Sequence, residues 1–203
     1  SLEKVPENLF VNCTKVEDFG RIFAYCNSIT QMPESLFYTN SKNGEEVSSS
    51  VSFYRSFSHC VNLEEIPEDI FANCANSKNF GYTFYKCDKL KKIPNNLFKQ
   101  CSEVQSLKYT FSNCISIKEI PEDLLDNCNK IENFSYTFRA CNKITKIPTK
   151  LFANKINVTD FTQTFNGCSS LTGTVPELWN KTDSTKEIYF PNVTTYGGCF
   201  SST

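Results

Sequence analysis

Hydrophobic residues recur along this chain in a pattern that repeats every 27 residues. The clearest copy runs from Pro94 to Ile120, and the copies on either side keep the same order of proline, leucine or isoleucine, phenylalanine and cysteine. The opening prolines are Pro6, Pro33, Pro67, Pro94, Pro121, Pro148 and Pro176. A fixed period in this range is typical of a solenoid, in which successive copies stack as coils. The pattern therefore predicts a single solenoid domain over residues 1–203.

Each copy combines two local patterns. The apolar residues Leu97, Phe98 and Cys101 lie three, four and seven positions after the opening proline, which is one face of a short helix. Later apolar residues recur at every third position, which suits the tight walls of a solenoid. The expected elements are strands near Val104–Lys108 and Ser116–Ile120 and helical turns near Pro94–Cys101 and Thr110–Cys114. The predicted fold class is α/β: about seven coils of 27 residues, with short parallel strands alternating with short helical turns.

Two copies depart from the regular unit. The second carries seven extra residues, and Asn43-Gly44 within it is a turn signal, so we expect the loop Ser41–Ser50 to protrude. Insertions within repeats often map to a binding face, which makes Asn43, Gly44 and Glu45 candidate contacts. The alternative is a tolerated bulge, because lengthening a surface loop costs little entropy. The last copy, 176–203, is degenerate and is expected to cap the core.

The cysteines fall at two fixed positions of the repeat. One set is Cys13, Cys74, Cys101 and Cys128, and the other is Cys26, Cys60, Cys87, Cys114, Cys141 and Cys168. Cysteine packs as a small buried hydrophobe, so we expect two columns of core thiols. The predicted core also includes the phenylalanines Phe23, Phe57, Phe84, Phe111, Phe138 and Phe165. Disulfides within each coil, such as Cys101 with Cys114, are the alternative for the cysteines.

One variable position of the repeat is a candidate binding site. It holds Tyr82, Tyr109 and Tyr136 in three successive copies and Arg21, Arg55 and Gln163 in the others. If this segment is extended, neighbouring coils lie about 4.8 Å apart and these side chains form a ladder. Tyrosine and arginine are enriched in protein-binding hot spots. The alternatives are that the tyrosines point into the core or only stack on one another.

Composition excludes several classes of function. The formal net charge is −1, which gives no global field to attract nucleic acid. No apolar run is long enough for membrane insertion, and no signal peptide is visible; the chain begins and ends within a repeat, as a fragment of a longer protein would. The single histidine, His59, and the absence of metal-ligand or catalytic motifs predict no metal, no cofactor and no enzymatic activity.

The repeat resembles that of the BspA-like leucine-rich repeat surface proteins of bacteria. The matching stretches are of the type F-x-x-C-x-x-L, as in Phe84–Leu90 and Phe111–Ile117, and similar repeats occur in gut-bacterial lipoproteins and phage-encoded proteins. The resemblance implies a right-handed leucine-rich-repeat-like solenoid without catalytic residues, although its period of 27 is longer than in the best-known members.

The resemblance also implies a function. It points to a monomeric, extracellular or cell-surface module that mediates adhesion by binding a protein or glycan. Two alternatives stay open: a stalk or spacer that presents another domain, and a phage-encoded tail or receptor-binding module. A carbohydrate-active enzyme is a third, but no convergent acid–base pair supports it.

Overall fold

The computed structural model describes residues 2–13, 15–37, 51–174 and 190–203. The predicted loop Ser41–Ser50, with Asn43, Gly44 and Glu45, lies outside the described residues, as does the first half of the degenerate last copy. Within the described part, the chain winds into coils that stack in register. No α-helix and no strand longer than a single bridge occurs among these residues.

Isolated parallel bridges join each described coil to the next. They link Asp18 to Ser52, Ser52 to Asn79, Asn79 to Ser106, Ser106 to Asn133, Asn133 to Asp160, and Asp160 to Thr195. All six are parallel, and successive partners are mostly 27 residues apart. The stacking of copies that the repeat predicted is therefore observed, with one bridge in place of each expected strand.

The predicted helical turns are wrong in type. In the segment from Pro94 to Cys101, Leu97 N–H donates to the Pro94 carbonyl at 3.3 Å and Cys101 N–H donates to the Phe98 carbonyl at 3.0 Å. These bonds span three residues, so the segment consists of tight turns and not of an α-helix. The same applies to Thr110–Cys114, where Cys114 N–H donates to the Phe111 carbonyl at 3.0 Å.

The predicted strands are also shorter than expected. The stretch Val104–Lys108 contributes only the bridge at Ser106, and Ser116–Ile120 forms none. We call the latter stretch, together with its equivalents in the other coils, the second wall. Neighbouring coils still meet there, since Lys91 N–H donates to the Glu64 carbonyl at 3.2 Å. The second wall is thus an extended segment without a continuous ladder.

Alternating backbone hydrogen bonds explain why no helix forms. Within 80–86, the amides of Phe80, Tyr82, Phe84 and Lys86 donate to carbonyls of the next coil, at residues 106, 108, 110 and 112. The intervening amides donate backwards by three residues within their own coil, as Thr83 N–H does to the Phe80 carbonyl at 3.1 Å. Half of the amides are therefore used between coils, and an i to i−4 ladder cannot close.

Phenylalanine forms the spine of the core. The rings of Phe23, Phe57, Phe84, Phe111, Phe138, Phe165 and Phe200 stack along the solenoid. Adjacent centroids are separated by 5.4 Å at Phe23–Phe57 and by 5.7 Å at Phe111–Phe138. All but the last are buried among aliphatic side chains from every described coil. This continuous core fixes which residues of each coil point outward.

The cysteines are free thiols in the structure, and most are buried. Cys13 and Cys26 differ from the prediction, because they are only half-buried. Cys26 lies in the first described coil, where its column continues on one side only, to Cys60. Burial raises the pKa of Cys60 and of Cys74 to about 12, so these thiols stay protonated near neutral pH.

Candidate binding face

A four-residue rhythm positions the outward side chains. In 80–87, the residues Phe80, Thr83, Phe84 and Cys87 are fully buried, while the residues between them point away from the core. The same rhythm recurs in every described coil, at 53–60, 107–114, 134–141 and 161–168. Because the coils stack in register, each outward position becomes a column on one surface.

Hydroxyl and thiol groups hold this rhythm in register. Thr110 Oγ1 donates to the Phe80 carbonyl of the preceding coil at 2.9 Å, and Cys114 Sγ donates to the Phe84 carbonyl at 3.0 Å. Thr83, Thr137, Thr164 and Ser56 repeat the first contact, while Cys60, Cys87, Cys141 and Cys168 repeat the second. The cysteines therefore act as hydrogen-bond donors between coils as well as filling space.

Short polar side chains start each outward segment. Asn79 Oδ1 accepts the Gly81 N–H at 2.9 Å, and Asp18 Oδ1 accepts the Gly20 N–H at 2.7 Å. Asn133 and Asp160 do the same for Ser135 and Thr162, both at 2.8 Å. Such side-chain caps turn the backbone sharply at the bridge. They set the direction in which the following residues project.

The three tyrosines form a stacked column. The ring centroids of Tyr82 and Tyr109 are 4.4 Å apart with the planes 13° from parallel, and those of Tyr109 and Tyr136 are 4.2 Å apart at 5°. All three side chains are half-buried, so they do not point into the core with the phenylalanines. We call these three residues the tyrosine column. Its members are in mutual contact, as the ladder and stacking interpretations both require.

The backbone beneath the column differs from the extended conformation on which the ladder prediction was conditional. Arg21, Arg55, Tyr82, Tyr109, Tyr136 and Gln163 all have positive φ, between 51° and 62°. This left-handed region favours glycine, and a non-glycine residue there costs of the order of 1 kcal/mol. The side chains nevertheless fall into register, because each of these residues donates its N–H to the next coil.

Arginines extend the tyrosine column at one end. The Arg55 guanidinium lies over the ring of Tyr82, with its carbon 4.6 Å from the centroid, and 5.3 Å from the centroid of Tyr54. Arg21, in the preceding coil, lies 6.0 Å from the same Tyr54 ring. These distances are those of cation–π contacts. The predicted candidates Arg21, Arg55, Tyr82, Tyr109 and Tyr136 are thus brought together on one surface.

The column keeps its hydroxyl protons near neutral pH. Burial, followed by the proximity of Tyr136 and Tyr82, raises the pKa of Tyr109 to about 12. Burial also raises the pKa of Tyr82, with Tyr54 adding to the effect. Both phenols are therefore available as hydrogen-bond donors.

A second aromatic group, which the sequence reasoning did not single out, borders the column. Tyr25 stacks on His59 at 4.3 Å, His59 meets Tyr85 edge-on at 5.2 Å, and Tyr85 contacts both Tyr82 and Tyr109. Burial, and then the charges of Lys86 and Arg55, lower the pKa of His59, so the ring is neutral at pH 7. The sequence signal was present, since these residues occupy two other outward positions of the four-residue rhythm.

We define the aromatic-basic face as the outward side chains of residues 20–25, 54–59, 81–86, 108–113, 135–140 and 162–167. No group of three His, Cys, Asp or Glu side chains that could hold a metal ion occurs among the described residues. Over the same residues, no helix is long and apolar enough to cross a membrane. The chemistry that this face offers is hydrogen-bond donation, positive charge and aromatic contact.

The stacked coils and continuous core define the class of protein as a solenoid repeat protein. No protein-family model and no curated protein matches the chain. Similar solved structures are bacterial leucine-rich repeat proteins, the class that the repeat motif resembles. A leucine-rich repeat protein of T. pallidum has a TM-score of 0.38 and 18% identity, covering 75% of this chain and 70% of that protein.

Two further structures come from gut bacteria. A leucine-rich repeat protein of Bacteroides ovatus has a TM-score of 0.25 and 17% identity, covering 87% of this chain and 48% of that one. A leucine-rich cell surface protein of Faecalibacterium prausnitzii has a TM-score of 0.22 and 12% identity, covering 84% and 76%. Identities this low express a likeness of fold alone and assign no ligand to this chain.

Proposed function

We propose that this chain is a non-catalytic recognition module of the BspA-like kind, located at a bacterial surface or secreted. It binds an extracellular protein or glycan through the aromatic-basic face and so mediates adhesion. The tyrosine column and the neighbouring Arg55 and Arg21 are the central contacts. Asn43, Gly44 and Glu45 of the insertion are proposed as a second contact region.

The observation that carries this proposal is the choice of residues at the positive-φ position. Glycine fits that position without strain, and Gly198, with φ of 64°, occupies it in the last coil. Tyrosine and arginine occupy it in five other coils, at a conformational cost of about 1 kcal/mol each. Large aromatic and cationic side chains at such positions are better accounted for by recognition than by folding, since strained residues cluster at functional sites.

A spacer function is the alternative that the stacked core would also satisfy. A spacer needs the phenylalanine, threonine and cysteine columns but has no use for a particular set of outward residues. The two functions therefore predict different consequences for changes at the tyrosine column.

The test is a binding panel of extracellular matrix proteins, serum proteins and surface glycans, measured with the 203-residue chain by biolayer interferometry. At least one member should bind saturably. The triple variant Tyr82→Ser, Tyr109→Ser, Tyr136→Ser should bind it at least about tenfold more weakly, as expected for the loss of hot-spot residues. The matched control changes three exposed residues of the second wall, Lys92→Ser, Glu119→Ser and Thr145→Ser, and should bind like the parent.

Equal affinity of the tyrosine variant and the parent, with both proteins folded, would contradict the recognition proposal for this face. Absence of saturable binding to every member of the panel would favour the spacer function instead.

A further inference from the structure

The aromatic-basic face has a charge that the whole chain does not have. Its six segments contain five cationic residues: Arg21, Arg55, Lys86, Lys108 and Arg139. They contain none of the chain's 22 aspartates and glutamates, although the formal net charge of the chain is −1. The near-neutral total thus conceals one surface on which all formal charges are positive.

Acidic residues are close to this face only at its rim, where they are already engaged. Asp18 and Asp160 each accept the backbone N–H two residues ahead, and Asp160 also accepts from Asn133 Nδ2 at 3.5 Å. The ion pairs among the described residues lie elsewhere: Lys91 with Glu64, Lys130 with Glu103 and Lys146 with Glu122. The cations of the face therefore lack the carboxylate partners that lysines elsewhere have.

Ring stacking limits what the face can recognise. Tyr109 is covered on one side by Tyr82 and on the other by Tyr136, at 4.4 and 4.2 Å. A nucleobase or the apolar side of a sugar ring needs an open aromatic face to stack on, and this residue offers none. The parts of the column left for a ligand are ring edges and phenolic hydroxyl groups, which donate hydrogen bonds.

We propose, on the basis of the recognition function above, that the aromatic-basic face takes an acidic polypeptide segment rich in aspartate or glutamate. Carboxylates accept hydrogen bonds from phenols and pair with guanidinium and ammonium groups. Tyrosine and arginine together are typical of protein-binding surfaces, and a row of donors along the solenoid suits a ligand with acceptors at short, regular intervals. The positive potential also favours the encounter with such a segment.

The experiment measures binding of fluorescein-labelled poly-L-glutamate to the 203-residue chain by fluorescence anisotropy at low and physiological salt. A variant with Lys86→Gln, Lys108→Gln and Arg139→Gln removes three charges from the face without touching the tyrosine column. The control with Lys91→Gln, Lys118→Gln and Lys130→Gln removes the same charge elsewhere. Thermal melting verifies that both variants are folded. Hyaluronan and oligothymidylate, which are anionic but not polypeptides, serve as competing probes.

The proposal predicts saturable binding of poly-L-glutamate that weakens with salt, is about tenfold weaker in the face variant, and changes less than about twofold in the control. Three outcomes would overturn it: no saturable binding, an equal loss in both variants, or tighter binding of hyaluronan or oligothymidylate. A panel partner that still depends on the tyrosines would then leave the recognition function standing. Loss of that dependence would remove both.

Discussion

At the scale of single residues, buried hydrogen-bond donors do much of the work of registering one coil on the next. Thr110 is fully buried, and its hydroxyl lies 2.9 Å from the Phe80 carbonyl and 2.7 Å from the Leu107 carbonyl. A hydroxyl that bridges two coils in this way contributes both a bond and a fixed register.

Replacing Thr110 by valine should therefore lower the free energy of unfolding by about 1–2 kcal/mol, because valine keeps the shape and loses the donor. Thr145→Val, at an exposed position of the second wall, is the matched control and should change stability by less than about 0.5 kcal/mol. Urea denaturation measures both. Equal effects of the two substitutions would show that the buried hydroxyl contributes nothing specific.

Lys155 is a second residue with an unusual position. It occupies the slot that holds Cys128 in the preceding coil, its side chain is 2% exposed, and its Nζ donates to the Ala153 carbonyl at 2.7 Å and to Asn129 Oδ1 at 3.1 Å. Burial lowers the pKa of Lys155, while Cys128 and Asp126 act in the opposite direction.

The lowered pKa predicts a pH dependence of stability. Between the folded-state pKa and the ordinary lysine pKa, the unfolded chain binds a proton that the folded chain does not, so the Lys155 contribution to the free energy of unfolding rises with pH. The parent should therefore gain stability relative to Lys155→Met between about pH 7 and about pH 10.

Lys150→Met, at an exposed position in the same coil, is the control for that titration. Its difference from the parent should stay constant over the same range. A parent that loses stability relative to Lys155→Met as the pH rises would contradict the assigned burial.

At the scale of elements, the coil is built from two columns of thiols, which makes their accessibility a test of the packing. Burial raises the pKa of Cys128 and Cys168 to about 12 and that of Cys114 and Cys141 well above the ordinary range. A protonated, enclosed thiol does not react with alkylating agents.

Iodoacetamide at neutral pH should accordingly label the folded chain first at the half-buried Cys13 and Cys26. The other nine cysteines should react only after unfolding, and all eleven should react in denaturant without a reducing agent. Mass spectrometry of the labelled peptides distinguishes these sites. Pairwise loss of labelling at Cys101 and Cys114 in denaturant would instead establish disulfides within the coils.

The elements also show where sequence reasoning reaches its limit. The period and the inward positions Phe84, Phe111 and Cys114 follow from hydrophobic spacing alone, and the structure places all three in the core. The helical turn at Pro94–Cys101 does not follow correctly. Spacings of three and four fit a helix and a series of tight turns equally well, and only the pairing of alternate amides with the next coil decides between them.

The candidate face is only partly legible in the sequence for the same reason. The shared repeat position of Tyr82, Tyr109 and Tyr136 identifies a column, but positive φ and the stacking distances depend on how the coils are registered. Tyr25, His59 and Tyr85 occupy different outward positions, so no single column reveals that they meet at one surface.

At the scale of the whole molecule, each coil contacts mainly its neighbours, as in other solenoids. Deleting Pro94–Ile120 removes one complete coil and joins Ile93 to Pro121, which recreates the existing Ile–Pro junction. The shortened chain should fold cooperatively, with a urea m-value reduced by about one eighth, because the m-value scales with the surface exposed on unfolding.

Deleting residues 94–113 removes an incomplete coil and serves as the comparison. It places outward residues against the core and should abolish cooperative unfolding and the tyrosine stack, observable by circular dichroism. Similar behaviour of the two deletions would show that the 27-residue unit is not the unit of folding.

The central claim is that the tyrosine column is where a partner binds, and site-specific crosslinking tests it most directly. A photoreactive phenylalanine analogue replaces Tyr109 in one protein and the exposed Lys118 of the second wall in another, and each is irradiated with the tightest member of the binding panel. We predict a covalent adduct at position 109, competed away by unlabelled parent protein, and none at position 118. An adduct at position 118 alone would contradict the claim.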